Sequence, residues 1–451
     1  MEPQIQRGTA RNAGLFFSLP ILAWAMYDLA NTIFSMNIVS RYFPLFVTET
    51  LGQEDIMFSA AVSISMIFIA LLSPLFGVLI DVRQKKRPYL ITFTLLSILA
   101  TGAIGVVGQM LGTHPSILYV GLGLFILANF AYNASLIFYN AQITDLGSRA
   151  EMGRISGFGV ALGYVGTIIG LLAITPFVTG GVPDWVSTLL YLAPVEPGME
   201  GGVNLNAFVP TALMFLVFSL PLFFLVKDRR TAAVDGQAFQ GSIIKEGYSR
   251  VWRTFKSARE YKGLFRFLIA YFFFTDAINT VIAFMSVYAQ GVMGLSASQL
   301  TLFLLVATAF AVVGSFIMGF VTDKIGSKRS IYVVLWLWVV ALIIASVANT
   351  MPLFWVTGIL IGIGMGSTWV STRTLIVELS PVEKRGEFFG LFSLSGKVSA
   401  IVGPMVWGVI TYLLRDYGDL GSRIAILSLL LFVLIGMWLM RKVPDGSKEL
   451  V

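Results

Sequence analysis

Two acidic residues lie inside apolar segments that are long enough to cross a membrane. Asp28 belongs to WAMYDLANTIF (24–34), and Asp276 belongs to the apolar segment 263–290. A charge at the bilayer centre costs about 2.5–3.5 kcal/mol even on a lenient insertion scale, so such a group normally faces a water-filled cavity or a partner. Each acid lies about 12 or 13 residues into its segment, roughly 18–20 Å from the same end at about 1.5 Å per residue. Both are therefore expected near the membrane midplane.

The residues that follow each acid could form one polar stripe. An asparagine at i+3 and a threonine at i+4 share a helix face with the acid; these are Asn31 and Thr32 after Asp28, and Asn279 and Thr280 after Asp276. Such a stripe can bind the ammonium or hydroxyl groups of a solute, and burial favours the protonated form of a carboxyl group, so the acid could carry a proton. We expect the two stripes to face each other in a shared cavity. The alternative is that these side chains bond to backbone or to neighbouring helices.

Further polar and basic residues lie within or at the edge of apolar segments. Asn133 and Asn140 belong to one stripe of the fourth segment and could bind a solute. Arg373 and Lys397, in the tenth and eleventh segments, could each hold a substrate carboxylate. Arg373 also shares a face with Gly362 and Gly366 of GIGMG (362–366), a pattern typical of close helix packing, so both roles stay open for it.

Composition excludes several classes of protein. The chain is 57% hydrophobic and 12% charged, whereas an ordinary soluble domain is about a quarter charged. It is therefore expected to be a membrane protein with many spans. It has no cysteine, and its one histidine lies in a predicted turn. Because no zinc-binding spacing, nucleophile motif or phosphate-binding loop is present, the sequence predicts no metal site, no cofactor and no enzymatic activity.

Apolar segments of spanning length predict twelve transmembrane helices. They cover about 16–47, 57–80, 88–110, 116–144, 155–178, 207–226, 263–290, 299–321, 330–348, 352–378, 388–414 and 424–440. Lys and Arg are distributed unequally over the connecting loops: the side that carries both termini has 25, and the other side has two. By the positive-inside rule both termini are cytoplasmic. The same placement explains the net charge of +7 without a nucleic-acid partner.

An internal repeat divides the chain into two halves of six helices. The recurring pairs are DLANT (28–32) with DAINT (276–280), GVLID (77–81) with GFVTD (319–323), and 145–157 with 378–390. We therefore predict an all-α fold with an N-terminal half at 1–226 and a C-terminal half at 263–451, related by an axis along the membrane normal. The segment 227–262 is a predicted cytoplasmic linker. Its second half is either an amphipathic helix on the membrane surface or a solvated connector.

A second set of repeated residues could form a gate at the cytoplasmic side. In the pattern GxxxDxxGxKR (319–329), glycine permits close helix approach, the aspartate can lie against the positive N-terminal end of a neighbouring helix, and the basic residues can bind headgroups or acidic partners. Breaking and remaking these contacts would open and close that side. The predicted gating residues are Gly77, Asp81, Arg87, Asp145, Gly319, Asp323, Gly326, Arg329 and Glu378.

These motifs resemble those of the major facilitator superfamily, whose signature after the second and eighth helices is this glycine, aspartate and basic pattern. The copy after the second helix departs from it at Gln84, where glycine is expected. More narrowly, WAMYDLANTIF resembles the first-helix motif of the branch that contains the fungal vacuole effluxer linked to autophagy and its bacterial relatives. Tyr27, Asp28 and Asn31 occupy its motif positions. The resemblance covers the whole chain and implies alternating access by twelve helices, a bacterial inner-membrane location and, from the fungal relative, export of amino acids.

Together these features favour a secondary active transporter for a small polar organic solute, with an amino acid preferred and with proton coupling. Coupling to sodium stays open. The protein is expected to work as a monomer in the lipid bilayer. The alternatives are a sugar, nucleoside or drug transporter of the same fold, or a protein that moves or senses lipids without coupling to a solute. The fifth helix lacks the Gly-Pro pair typical of proton-driven drug antiporters of this superfamily, which disfavours drug efflux.

Overall fold

The computed structural model describes residues 18–53, 55–112, 114–195, 203–228, 249, 261–399 and 402–445. Within these ranges every regular element is a helix, and eleven helical segments are long and apolar enough to cross a membrane. The first predicted span adds a twelfth, so the described part of the chain confirms the predicted all-α architecture. Most of the predicted linker 227–262, including its amphipathic half, lies outside the described residues.

The first six spans are separated by short connections, except for a longer one before the sixth. The first span begins with Leu19–Phe34, and the next five are Asp55–Arg83, Arg87–Leu111, Ser116–Gln142, Met152–Thr179 and Phe208–Leu225. A short helix, Asp184–Leu189, lies in the connection between the fifth and sixth spans.

The last six spans follow the same pattern of long apolar helices. They are Lys262–Gly291, Ala297–Ile325, Ser327–Val347, Met351–Leu379, the eleventh span in two pieces (Arg385–Val398 and Val402–Leu413), and Asp419–Met440. The start of the eighth is defined by a capping box, in which the Ser296 hydroxyl accepts from the backbone N–H of Gln299 and the Gln299 side chain accepts from the backbone N–H of Ser296.

The first span changes its helical geometry halfway along. After Phe34 the chain continues as π-helix over Ser35–Tyr42 and again over Phe46–Thr50, on both sides of a short α-helical piece that contains Pro44. Proline has no N–H to donate and its ring displaces the carbonyl one turn earlier, so wider turns around it are a physical consequence. The span remains one continuous helical segment from Leu19 to Thr50.

The chain forms two compact units. The first unit comprises Met1–Leu72, Gln84–Leu146 and Leu162–Thr231, and the second comprises Ser73–Arg83, Gly147–Ala161 and Ala232–Val451. The end of the second span and the start of the fifth span therefore belong to the second unit.

Each unit has its own packing. In the first, the Trp24 and Tyr139 rings stack with their centroids 4.5 Å apart, and those of Phe43 and Phe125 stack at 4.0 Å. In the second, the eighth and tenth spans approach closely at Gly362 and Gly366 of GIGMG. A Cβ on Gly362 would overlap the carbonyl oxygen of Ala307, which confirms that this motif serves close helix packing.

Candidate transport site

Asp28 lies on the buried side of the first span and is held by its own helix. Asp28 is 8% exposed, and the Asn31 amide donates to its Oδ1 at 3.1 Å. The Thr32 hydroxyl donates to the backbone carbonyl of Asp28 at 2.7 Å. The predicted polar stripe is thus present, but its threonine makes the bond to the preceding turn that helical threonines commonly make. The Thr32 hydroxyl also lies within hydrogen-bond distance of Asn31 Oδ1, at 3.3 Å, so Asp28, Asn31 and Thr32 all contact one another in this stripe.

A glycine of the fifth span covers this acid. A Cβ placed on Gly163 would lie 3.0 Å from Thr32 Oγ1 and 3.5 Å from the Asp28 carboxyl carbon. Any larger residue at this position would press on the polar pair. Gly163 was not among the residues predicted from the sequence, because glycines are common in transmembrane helices and nothing in its neighbours points to an acid 135 positions away.

Asp276 lies in a closely similar niche in the second unit. It is 0% exposed, and the Thr280 hydroxyl donates to its backbone carbonyl at 2.7 Å. A Cβ on Gly403 of the eleventh span would lie 3.2 Å from the Asp276 carboxyl carbon and would overlap the Thr280 hydroxyl. The two repeated acids therefore share one local design: acid, threonine one turn later, and a glycine of another helix against both.

The two niches differ in what reaches the carboxylate. Asn31 donates to Asp28, whereas the equivalent Asn279 makes no hydrogen bond to Asp276 within the described residues. Neither carboxylate oxygen of Asp276 has a hydrogen-bond partner in the described part of the chain, and Gly403 packs against the carboxyl group. Asp276 is thus more deeply buried than Asp28, and its carboxylate receives fewer side-chain hydrogen bonds among the described residues.

Tyr27 and Asn133 lie in interhelical networks of the first unit. The Tyr27 hydroxyl bonds to Thr94 at 2.6 Å and donates to Ser135 at 2.9 Å, which joins the first, third and fourth spans. The Asn133 amide donates to the side chain of Asn129 at 3.1 Å, and Asn129 donates to Ser65 of the second span at 2.6 Å. Asn140 is half-buried. These contacts give Tyr27 and Asn133 a clear role in positioning helices.

The two embedded cations, Arg373 and Lys397, both belong to the second unit and are half-buried. Tyr271 lies close enough to Arg373 for an electrostatic interaction, and a Cβ on Gly396, the neighbour of Lys397, would lie 3.0 Å from the Tyr271 hydroxyl. Among the described residues no ion pair includes Lys397. The membrane segments of the second unit therefore contain the deeply buried Asp276 together with Arg373 and Lys397.

Asp81 lies at the N-terminal end of the eleventh span. Its two carboxylate oxygens accept from the backbone N–H groups of Gly386 and Glu387 at 2.7 and 2.8 Å. These N–H groups have no partner within their own helix, and the helix dipole favours a negative charge there. Gly77, one turn earlier, lets its backbone touch that of Gly386. This is the aspartate-to-helix contact that the motif predicts.

Asp323 makes the same contact at the start of the fifth span. It accepts from the backbone N–H of Gly153 at 2.8 Å and from that of Arg154 at 3.2 Å, and the Arg154 guanidinium adds a salt bridge at 2.6 Å. Close approach is again made by glycines, since a Cβ on Gly157 would lie 2.9 Å from the Cα of Gly319. Both aspartate contacts lie inside the second unit.

The remaining predicted gating acids have different partners in the two repeats. Asp145 forms a salt bridge with Lys86 at 2.8 Å. Its counterpart Glu378 instead accepts from the hydroxyl of Ser327 at 2.6 Å. Gly326 adopts a φ of +87° between the eighth and ninth spans, and Gln84 adopts +51° at the matching position. The glutamine thus takes the left-handed conformation that the motif usually assigns to glycine.

Arg87 and Arg329 lie at a further repeated feature, which the sequence comparison missed. The Arg87 guanidinium donates to the carbonyl of Phe223 at the end of the sixth span, and its backbone N–H donates to Asp228. In the second unit, Arg329 faces Asp445, just beyond the twelfth span, at 3.9 Å. Each arginine therefore lies beside the end of the last span of its own unit.

Comparison with known proteins places this architecture in a family. A family model described as "Vacuole effluxer Atg22 like" matches residues 53–449. The chain belongs to this family. Among relatives of the Atg22-like chain, a protein of Bacillus subtilis named "Uncharacterized MFS-type transporter YxiO" is 26% identical over 94% of this chain and 95% of its own length. "Autophagy-related protein 22" of Yarrowia lipolytica is 27% identical over 68% of this chain and 54% of its own length.

Solved structures show the same fold for the Atg22-like chain. The proton:xylose symporter XylE aligns with a TM-score of 0.71 at 12% identity, covering 96% of this chain and 97% of its own. A bacterial homologue of the iron transporter ferroportin aligns with a TM-score of 0.68 at 15% identity, covering 94% and 98%. The protein is a multi-pass membrane protein with the twelve-helix major facilitator fold, and it is a transporter of this superfamily.

Replacing Asp323 in the Atg22-like chain should lower its stability. Asp323→Ala removes the acceptor of two backbone N–H groups and of the Arg154 guanidinium. Breaking a buried ion pair costs roughly 3–5 kcal/mol, and we expect about 2–3 kcal/mol because this pair retains some exposure. Thermal unfolding in detergent, followed by tryptophan fluorescence, measures the loss. Lys324→Gln, an exposed change on the same turn, is the control, and equal melting temperatures for both variants would contradict the expectation.

Proposed function

We propose that this transporter moves a small polar organic solute, preferably an amino acid, by alternating access coupled to protons. It would act as a monomer in a bacterial inner membrane, with both termini in the cytoplasm. The observation that carries the proposal is the repeated niche: a buried aspartate and a threonine of one span under a glycine of another, at Asp28 with Gly163 and at Asp276 with Gly403.

The intramembrane charges support an amino acid as the solute. A zwitterion needs an anionic group for its ammonium and a cationic group for its carboxylate, and the spans contain both. Asp28 and Asp276 supply the carboxylates, and Arg373 and Lys397 supply the cations. Charged groups within membrane spans are costly to keep without a role. The name of the matching family, a vacuole effluxer, agrees with a transporter for a small solute.

The acids divide into two roles in this proposal. Asp28, whose carboxylate is held by the Asn31 amide, is a fixed group that binds the solute ammonium. Asp276 has no side-chain donor or cation among the described residues, so it is free to exchange a proton as the solute binds and leaves. Asn133, Asn140, Asn279 and the two threonines would shape the polar surroundings.

The aspartate contacts at the helix ends are assigned to gating. Asp81 on the eleventh span and Asp323 on the fifth are each held by backbone N–H groups at a helix start. Such bonds hold a helix end without any solute, and they can be broken and remade. Asp145 and Glu378, with Arg87 and Arg329, would support the loops that join these helices.

Uptake into proteoliposomes tests the proposal. Purified protein is reconstituted, and accumulation of radiolabelled amino acids, sugars and nucleosides is measured with and without an imposed pH gradient, and with a sodium gradient as an alternative. We expect an amino acid to accumulate only with the pH gradient. Accumulation driven by sodium alone would contradict proton coupling. Accumulation of sugars alone would contradict an amino acid as the solute.

Asp28→Asn should weaken binding of the solute more than it affects the fold. The asparagine keeps the shape beside Asn31 but removes the charge that would pair with an ammonium, so we expect the transport KM to rise by about 10- to 100-fold, as hydrogen bonds to charged groups are worth roughly 1.5–3 kcal/mol. Asp184→Asn, at an exposed acid before the sixth span, is the matched control. An unchanged KM in Asp28→Asn would remove this residue from the solute site.

A further inference from the structure

A cavity with three cationic side chains lies at the basic end of the first unit, apart from the proposed transport residues. It has a volume of about 440 Å³ and is lined by Gln84, Lys85, Arg87, Pro88, Ile91, Lys227 and Asp228. It lies where the third span begins and the sixth span ends. The general excess of basic residues on this side explains why cations occur here, but not why they converge on one cavity.

The charges of this cavity leave it cationic. Its one carboxylate, Asp228, accepts from the backbone N–H of Arg87 with both oxygens, at 3.1 and 3.2 Å, and so serves the start of the third span. The Arg87 guanidinium is bonded to the carbonyl of Phe223. Lys85 and Lys227 are exposed, and within the described residues neither forms an ion pair. Two ammonium groups therefore remain available at the cavity mouth.

Gln84, which lines the same cavity, has an uncommon backbone conformation. Its φ is +51°, a left-handed conformation that residues other than glycine rarely adopt. Sparsely populated conformations persist where the surroundings require them, and they often occur at binding sites.

An apolar surface leads away from the cavity along the two spans. On the third span, Ile91 in the cavity is followed one and two turns later by Leu95 and by Leu99, which is 70% exposed. On the sixth span, Phe224 is 69% exposed, and Val217 and Leu220 share its side. The two spans pack against each other, since a Cβ on Gly105 would lie 2.9 Å from the Val209 side chain. The paired apolar stripes begin at the cationic cavity.

We propose that this cavity binds the phosphate headgroup of an anionic phospholipid, with its acyl chains along the third and sixth spans. Lys85 and Lys227 bind the phosphate, and Ile91 lies at the boundary with the acyl chains. Basic pockets between helices at this side of a membrane recognise anionic headgroups in this way. A soluble phosphate would use the cations but would gain nothing from the apolar stripes.

Native mass spectrometry of the purified full-length protein tests the proposal, with phosphatidylglycerol titrated in detergent. The Lys85→Gln/Lys227→Gln variant should bind the lipid about 30-fold more weakly, because each basic side chain near an anionic lipid contributes about a factor of five in affinity. The matched control, Lys262→Gln/Lys324→Gln, removes the same charge from two other exposed lysines and should bind like the wild type. The wild type should bind phosphatidylcholine more weakly than phosphatidylglycerol. The cavity variant should bind the two lipids with the same affinity.

Three results would overturn it. Equal losses in the cavity variant and the control would mean that only overall charge matters. Equal binding of both lipids by the wild type would remove anion recognition. Displacement of phosphatidylglycerol by inorganic phosphate or glycerol phosphate at the concentration at which the lipid binds would show that the cavity takes a soluble anion.

Discussion

Asp276→Asn is expected to reduce proton-driven accumulation of the solute by about 100-fold, near the upper end of the 5- to 150-fold range typical of coupling between two sites. Asparagine has nearly the same shape but cannot release or take up a proton. The niche around Asp276 should tolerate it, because the Thr280 hydroxyl bonds to the backbone and not to the carboxylate. The measurement is uptake into proteoliposomes under an imposed pH gradient.

A second assay separates coupling from binding in this variant. Exchange of labelled for unlabelled solute, with no pH gradient, requires binding and movement but no net proton transfer. Asp276→Asn should keep at least part of this exchange, whereas Asp28→Asn should lose it at low solute concentration. Asp419→Asn, at an exposed acid at the start of the twelfth span, is the control for the charge change. Full gradient-driven uptake by Asp276→Asn would exclude this residue from coupling.

Gly362→Leu is expected to prevent folding of the second unit. A Cβ at this position overlaps the backbone carbonyl of Ala307, and at Gly366 one turn later it overlaps that of Ala311. A backbone group cannot move aside as a flexible side chain can, so the eighth and tenth spans would have to separate. Overpacking a core typically costs about 1–3 kcal/mol of stability. We expect a larger loss here, because moving side chains cannot relieve an overlap with the backbone. Size-exclusion chromatography after detergent extraction should show aggregated protein.

The control for this variant is Gly408→Leu in the eleventh span. A Cβ there has no atom within 4 Å, so the same change of residue meets open space. This variant should be extracted and purified like the wild type. Normal chromatographic behaviour and normal thermal stability of Gly362→Leu would show that the overlap is relieved at little cost.

The amino-acid sequence by itself determined the number of spans, the repeat and the identity of the buried acids. These are properties that run along the chain: a span is recognised by about twenty apolar residues, and an acid inside one stands out because its burial in lipid is costly. Asp28 and Asp276 are recognised in this way, as are the helix contacts made by Gly77 and Asp81 and by Gly319 and Asp323. The motif specifies the chemistry of those contacts, a carboxylate for a helix N-terminus.

Only the tertiary structure decided what surrounds each acid. Gly163 and Gly403 cover Asp28 and Asp276 from other helices, and the choice of these two among 44 glycines depends on which backbones approach within van der Waals distance. The difference in hydrogen bonding between the two acids also cannot be predicted from DLANT and DAINT, because both have the same spacing of asparagine and threonine. It arises because the Asn31 amide donates to its acid, whereas Asn279 makes no hydrogen bond to Asp276 in the described part of the chain.

The contact of Arg87 with the sixth span, and the cavity beside it, are likewise features that only the tertiary structure shows. They join residues about 140 positions apart that share no motif. Patterns along a chain report hydrophobic periodicity and local geometry, whereas contacts between helices depend on the rotation and depth at which each helix packs. Those two quantities are set by the summed shapes of many side chains, and for that reason they emerge only when the whole unit has folded.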